Sequence, residues 1–454
     1  MKNQEDLFWF SEDFLTKNNL QVICFQDKEF IFDPENVFVW EAISKSGRYF
    51  LARALSRLPY CKKRFDRAFE NFDSELFNHI TVMLNISHRC NMACVYCCAG
   101  GGTYGGNEEL MSIEVAKRAV DSLMRLGRFT LYFFGGEPML NLPVLIRTAE
   151  YTAVRAREKG VKADFILSTN GSIGFRRFPD LCQFIRENNF RVNVSLDGPR
   201  ETQNRNRPFK TSTEKKDGFE IVHANLKELV EIIGSEKVVV KVTMYNDETD
   251  IRRLLEPALE VGVTHFLVSP VVPSKFYCDG QVNFNKEDYQ KMAERDKKFL
   301  FWYVKELSRG SELKVQSYHK LLSILYHSES IYQFCLAGLR LFCVFPNGDI
   351  YPCHRLGGQK EFLLGNVGEV TDPEKNQQSR LLMAEKSMEE KCRQCWVRHF
   401  CWGNKCLQQN QIRHQPLSAI NDPRFCEYHR NNLGLLAYSL SLIAPPQREQ
   451  VLKR

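Results

Sequence analysis

The chain has 454 residues, 43% of them apolar and 26% charged, which excludes a miniprotein or a disordered tail and suffices for more than one packed domain. Lys and Arg number 62 against 55 Asp and Glu, a net charge of +7 that is too dilute, and too interleaved with acids, to mark a nucleic-acid surface. The opening MKNQEDLFWF mixes acids with apolar residues and lacks a small-residue cleavage site, and the apolar stretch 433–444 is too short to span a bilayer, so a soluble, cytoplasmic protein with no membrane partner is expected.

Residues 1–78 read as a small α/β module, with short strands at 20–24, 29–32 and 37–40 and a basic helical stretch at 49–70. From residue 81 an apolar, β-branched run alternates with an amphipathic stretch of helical length. Strands are predicted at 81–87, 129–135, 163–170, 191–198, 238–245 and 264–272, and helices at 112–126, 143–159, 181–188, 219–233, 250–261 and 288–307. Six such units with right-handed crossovers predict an α/β fold, a partial (β/α)6 TIM-like barrel over 79–310. Beyond it, 311–435 is rich in glycine, aromatics and cysteine and needs a staple of the kind metal ligation provides; 436–454 reads as a C-terminal tail.

Chemistry in such barrels sits where strands end at their C-terminal side. The first predicted strand leads into Cys90, Cys94 and Cys97; the second into Gly135, Gly136, Glu137 and Pro138; the third ends in Ser168, Thr169, Asn170 and Gly171; the fourth in Ser195, Leu196, Asp197 and Gly198. Each of the last three alone would serve as a tight turn. Their recurrence on one rim asks for a common purpose.

Sixteen cysteines in a chain expected to be cytosolic are not explained by disulfides. Cys24, Cys61, Cys182 and Cys278 are scattered and read as small buried hydrophobes. Cys90, Cys94 and Cys97 offer three thiolates where a closed zinc site or a fully protein-ligated cluster needs four, so one ligand position stays open. On a helix these positions would share a face, but the glycines at 100–102 favour a loop. Cys98, next to Cys97, cannot readily share the same iron site and is expected to point elsewhere.

The spacing Cys90-x3-Cys94-x-Tyr96-Cys97 resembles the signature of the radical S-adenosylmethionine (SAM) superfamily. The resemblance implies a 4Fe-4S cluster whose unique iron is chelated by SAM, and electron transfer that yields a 5'-deoxyadenosyl radical. It further implies that Gly135, Gly136, Glu137 and Pro138 form the glycine-rich loop toward the SAM amino group, that Ser168, Asn170, Ser195 and Asp197 reach its ribose and methionine parts, that Arg207 pairs with its carboxylate, and that Tyr96 packs by the adenine.

The later cysteines resemble the SPASM extension of peptide-modifying members, with two auxiliary 4Fe-4S clusters: Cys335, Cys353 and Cys406 on the first, Cys392, Cys395, Cys401 and Cys426 on the second. Four residues, not the usual three, separate Cys401 from Cys406, and Cys343 reads as a core thiol or as a fourth ligand of the first cluster. The branch implies a peptide or protein substrate, residues 1–78 as a leader-peptide recognition module, and an electron donor such as flavodoxin or ferredoxin. The run Cys97 to Gly105 resembles enzymes that form thioether crosslinks between a cysteine sulfur and a carbon. Sulfatase maturases carry an acidic base directly after the cysteine occupied here by Cys353, where this chain has His354; His354, Tyr104 and Asp349 are the general-base candidates. A zinc-stabilised, non-catalytic interaction protein is the alternative from another class.

Overall fold

The computed structural model describes residues 9–11, 15–16, 19–34, 38–45, 48–54, 79–124, 128–210, 217–244, 249–271, 286–328, 337–338, 340–368, 392, 394–398, 400–401 and 423–452. They fall into two units: Met1–Phe72 with Asn283–Phe334 and Ser387–Arg454, and Asp73–Val282 with Cys335–Lys386.

The first unit opens with strands β1 (Trp9–Ser11), β2 (Gln21–Phe25), β3 (Lys28–Asp33), β4 (Phe38–Lys45) and β5 (Arg48–Ala54), an antiparallel sheet in the order β1-β5-β4-β3-β2. The helix expected at 49–70 is corrected at its start. Residues 48–54 pair with β4, with Leu51 opposite Ala42 and Phe50 opposite Ile43, because an aromatic-rich run beside an open strand edge gains more from ladder hydrogen bonds than from an isolated turn of helix. Residues 55–78 of that expectation lie outside the described residues.

The second unit follows the β-α rhythm. In chain order it holds β6 (His79–Ser87), α1 (Ile113–Leu123), β7 (Arg128–Gly135), α2 (Leu142–Glu158), β8 (Lys162–Thr169), α3 (Pro179–Glu187), β9 (Phe190–Ser195), α4 (Arg200–Asn206), α5 (Gly218–Ile233), β10 (Val238–Met244), α6 (Ile251–Leu259) and β11 (His265–Pro270). Strands β6 to β11 are parallel in sequential register, as the sequence predicts for a partial barrel. Helices start where the caps fall: Ser112 accepts from Val115 N–H and Asp217 from Glu220 N–H.

The next elements, α7 (Lys286–Ser308), β12 (Lys314–Val315) and α8 (Gln316–His327), belong to the first unit. Then β13 (Leu341–Val344), β14 (Asp349–Tyr351) and β15 (Gly365–Asn366) extend the second unit's sheet beyond β6, giving the order β11-β10-β9-β8-β7-β6-β13-β14-β15. The apolar run 341–345 reads as a strand, but its parallel pairing with β6, with Cys343 opposite Met83, is tertiary and local pattern does not reveal it. Helices α9 (Pro423–Leu442) and α10 (Pro445–Val451) complete the first unit. Gly434 lets α9 approach β2: a Cβ there would stand 2.9 Å from Ile23 Cγ2. Leu440, Ile443 and Leu452 of the predicted tail are fully buried.

The parallel strands have two unlike faces. Val82, Leu84, Leu131, Phe133, Leu167, Val192 and Val240 are fully buried, and this row faces the helices: a Cβ on Gly171 would touch both Val194 of β9 and Val222 of α5. The alternate row, in register across the sheet, includes Asn85, Tyr132, Phe134, Ser168, Asn193, Ser195, Lys241 and Thr243. Such polar and aromatic side chains on the inner face of a parallel sheet line a site, since a purely structural core would be aliphatic. Among the described residues no helix is long and apolar enough to cross a membrane.

Candidate cofactor site at the strand ends

Strand β6 delivers the chain into a loop carrying Cys90, Cys94, Cys97 and Cys98, which ends in a short 3-10 turn, Gly100–Gly102. The loop is held as an extra strand would be: Ala93 N–H donates to Pro208 O at 2.8 Å, Val95 N–H to Asn206 O at 3.0 Å, and Lys210 N–H to Asn91 O at 2.9 Å. Its other side rests on the end of β7, where Gly136 N–H donates to Ser87 O and Glu137 N–H to Arg89 O, both at 2.7 Å. Gly135, at φ 134°, and Gly136 are glycines for a steric reason. A Cβ on the first would lie 2.3 Å from Ser87 O; one on the second would lie 2.3 Å from Arg89 O and 3.2 Å from Cys90 Cβ.

Glu137 is fully buried, and both its carboxylate oxygens are engaged, accepting from Met139 N–H at 3.0 Å, Thr169 Oγ1 at 2.8 Å and Asn170 N–H at 2.7 Å. Burial pushes its carboxyl above the ordinary value against these donors. Its side chain thus locks β7 to β8, leaving the loop's backbone for a ligand. Pro138 begins the turn that leads into α2. Asn170 ties the same loops from the other side: its amide donates to Asn91 Oδ1 at 2.8 Å and approaches Cys90 Sγ at 3.9 Å, and it accepts from Ser172 N–H.

A second knot joins half-buried Tyr96 with buried Asp197 and Arg207. The Tyr96 hydroxyl donates to Asp197 and accepts from Arg207 Nη1 at 3.0 Å, while the other Asp197 oxygen accepts from Thr243 N–H at 3.0 Å. Arg207 Nε is buried without a partner among the described residues. Ser168 does not join this knot. Its hydroxyl shares a 2.7 Å hydrogen bond with Tyr132 Oη, and Asn193 donates to both at 3.3 Å, a polar row that no local motif marks. Ser195 lies beside Lys241 in register on the same inner face.

Toward β13 the inner face carries Phe134, with the His354 ring 4.7 Å from it and Lys241 Nζ 5.5 Å from its centroid. Burial holds the His354 imidazole well below its ordinary value, and the charges of Arg355 and Lys241 act in the same direction. Cys98 lies within electrostatic reach of Arg355 and Lys241 as well as of Cys97. His88, Tyr104 and Phe345 stack nearby, rings 4.9 to 5.3 Å apart. Asp349, on β14, is bonded instead to Asn347 and Asn366.

The donor set at the loop fits a thiolate-held cluster. Cys90, Cys94 and Cys97 act on one another electrostatically, and burial pushes Cys94 up to about 12 against the pull of Arg207. Thiols so buried become thiolates when a cation is bound. Gly101 N–H already donates to Cys97 Sγ at 3.3 Å. Among the described residues no three His, Cys, Asp or Glu side chains converge as a single ion requires. A cube asks for less convergence, because each thiolate takes a different iron.

The later cysteines divide between the units. Cys343, fully buried on β13, lies within electrostatic reach of Cys353, which stands 3.8 Å from His354 Nδ1. In the first unit Cys395 N–H donates to Cys392 O at 3.3 Å, and the Cys392 to Cys401 segment is pinned to β3: Phe32 meets Trp396 and Phe400 at 6.5 and 6.1 Å, and Arg398 donates to Pro34 O. Cys426 begins α9. Cys335 and Cys406 lie outside the described residues.

Residues 84–270 match the profile of the radical SAM superfamily. The chain carries a radical SAM domain. The superfamily works with a 4Fe-4S cluster and SAM, and the match runs from β6 through β11, the strands whose ends carry the site. The chain is 24% identical over 383 residues to the cysteine-type anaerobic sulfatase-maturating enzyme of Clostridium novyi, covering 79% of this chain and 96% of that protein. It is 37% identical over 132 residues to the Fe-coproporphyrin III synthase of Methanosarcina barkeri, 28% of this chain and 30% of that one. Its fold is similar to that of anSMEcpe solved with AdoMet and a Cp18Cys peptide (TM-score 0.65, 20% identity, 80% of this chain and 98% of that one). It is also similar to Streptococcus suis SuiB bound to its precursor peptide SuiA (TM-score 0.52, 14% identity, 79% of each chain).

Proposed function

We propose that this radical SAM enzyme modifies a peptide or protein, joining a cysteine sulfur to a carbon as a thioether. In this reading Cys90, Cys94 and Cys97 hold the SAM-binding cluster; the backbone at Gly135, Gly136 and Pro138, with Asn170, Ser195 and Arg207, receives SAM, and Tyr96 and Asp197 fix Arg207 in place. Ser168 acts from the polar row with Tyr132 and Asn193. Bound there, cluster and SAM supply a 5'-deoxyadenosyl radical that removes hydrogen from a substrate carbon. Cys335, Cys353 and Cys406 would hold one auxiliary cluster, with Cys343 at hand as a fourth thiol, and Cys392, Cys395, Cys401 and Cys426 the other. Residues 1–78 would dock a leader peptide, and a flavodoxin or ferredoxin would deliver electrons.

The observation that carries the thioether reading is His354. Where a sulfatase maturase places its acidic base, this chain has an imidazole whose ring lies 4.7 Å from that of Phe134, so no carboxylate stands at that position. Likeness to sulfatase maturases along nearly their whole length favours formylglycine formation as the second reading. Product mass separates the two. A cysteine-containing peptide turned over anaerobically loses two hydrogens if crosslinked, loses its thiol sulfur and two hydrogens while gaining one aldehyde oxygen if matured as a sulfatase is, and an unchanged mass overturns both for that peptide.

A further inference from the structure

We propose that Lys241, on the inner face of β10, reads an aspartate or glutamate side chain of the peptide substrate. Lys241 occupies the middle of a strand flanked in register by Ser195 of β9 and Leu267 of β11, a half-buried position where a lysine is uncommon and expensive unless an anion meets it. Its ammonium lies over the Phe134 ring, 5.5 Å from the centroid, and the His354 ring lies 4.7 Å from the same ring.

Among the described residues no carboxylate forms an ion pair with it. The acid on the neighbouring strand end, Asp197, is committed to Tyr96 and to Thr243 N–H. Arg355 lies within electrostatic reach of the same His354 ring and of Cys98. The inner face therefore holds a positive corner beside an aromatic ring, a setting that favours a carboxylate. A carboxylate is also present on SAM, and Ser195, in register beside Lys241, is placed at SAM; but Arg207, with its unpartnered Nε, stands on the segment that pairs with the cysteine loop, whereas the ammonium of Lys241 lies over Phe134, the ring that His354 meets.

The inference rests on the peptide-modifying reading. Its test presents the reconstituted, SAM-loaded full chain with an immobilised random twelve-residue peptide library containing one fixed cysteine, and sequences what is retained. Wild type is expected to enrich Asp or Glu at one position relative to the cysteine. Lys241→Gln is expected to lose about tenfold of that enrichment, and Lys241→Glu to prefer Lys or Arg at the same position, with SAM dissociation constant and iron content as in wild type. Acidic enrichment equal in wild type and Lys241→Gln, or peptide enrichment with no acidic preference in wild type, overturns the assignment of Lys241 alone. A tenfold loss of SAM affinity in Lys241→Gln transfers the lysine to SAM and overturns it too. Retention of no peptide by wild type overturns the peptide reading, and this inference with it.

Discussion

Tyr96, in the cysteine loop, is hydrogen-bonded through its hydroxyl to Asp197, which follows β9, and the same oxygen accepts from Arg207 Nη1 at 3.0 Å. The bond links the cluster loop to the opposite strand ends, so cysteine position and the geometry of the rim are set together. Replacing Tyr96 by Phe leaves a buried carboxylate short of a donor and frees Arg207. Stability is expected to fall by about 1 to 3 kcal/mol, read by urea unfolding, and SAM binding by calorimetry to weaken while iron content is kept.

Gly136→Ala tests the steric argument for the glycine-rich loop. The new methyl would lie 2.3 Å from Arg89 O and 3.2 Å from Cys90 Cβ, in a backbone pair that cannot separate without moving the cysteine. Overpacking of this kind costs about 1 to 3 kcal/mol, and a reduced yield of iron on reconstitution, by colorimetric assay, is the expected sign that Cys90 has shifted. Gly101→Ala, where the added Cβ meets nothing within 4 Å, serves as the control for added bulk, its own cost being the strain of φ 76°.

Much of this was legible in the sequence. The six parallel strands follow from the alternation of β-branched runs and amphipathic stretches, and the rim motifs fall at strand ends because Gly and Asn there permit the turns. What pattern could not supply was the work each side chain does. Glu137 proves to be a tie between β7 and β8, and Ser168 part of a row with Tyr132 and Asn193, because those hydrogen bonds depend on register between strands distant in sequence. Residues 48–54 went astray for a similar reason: their pairing with β4 is tertiary, and local composition is silent on it. Lys241 falls within the predicted strand 238–245, but its place on the inner face follows only from its register with Ser195 of β9 and Leu267 of β11.

Cys98 directly follows Cys97, yet its surroundings are Arg355 and Lys241. Cys98→Ala is expected to retain the iron of the SAM-binding cluster, about four per chain, and its SAM-induced spectral change. Cys97→Ala should lose both. Equal loss in the two variants would place Cys98 among the ligands.

His429 on α9 lies against Phe425 at 4.4 Å and Tyr428 at 5.2 Å, and burial lowers its imidazole from 6.5 to about 4. The unfolded chain binds a proton in this interval that the folded chain refuses, so stability falls as pH drops from about 6.5 through about 4, by up to about 3 kcal/mol. Urea midpoints across that range should show the slope in wild type and a shallower one in His429→Leu.

The most direct measurement of the central claim is 5'-deoxyadenosine formation by anaerobically reconstituted, dithionite-reduced protein given SAM alone. The account predicts slow release of the nucleoside with a SAM-dependent change in the cluster's paramagnetic resonance, both abolished in the Cys90→Ala, Cys94→Ala, Cys97→Ala triple variant. Reconstituted protein that holds iron and sulfide yet cleaves no SAM and shows no spectral response to it would contradict the account.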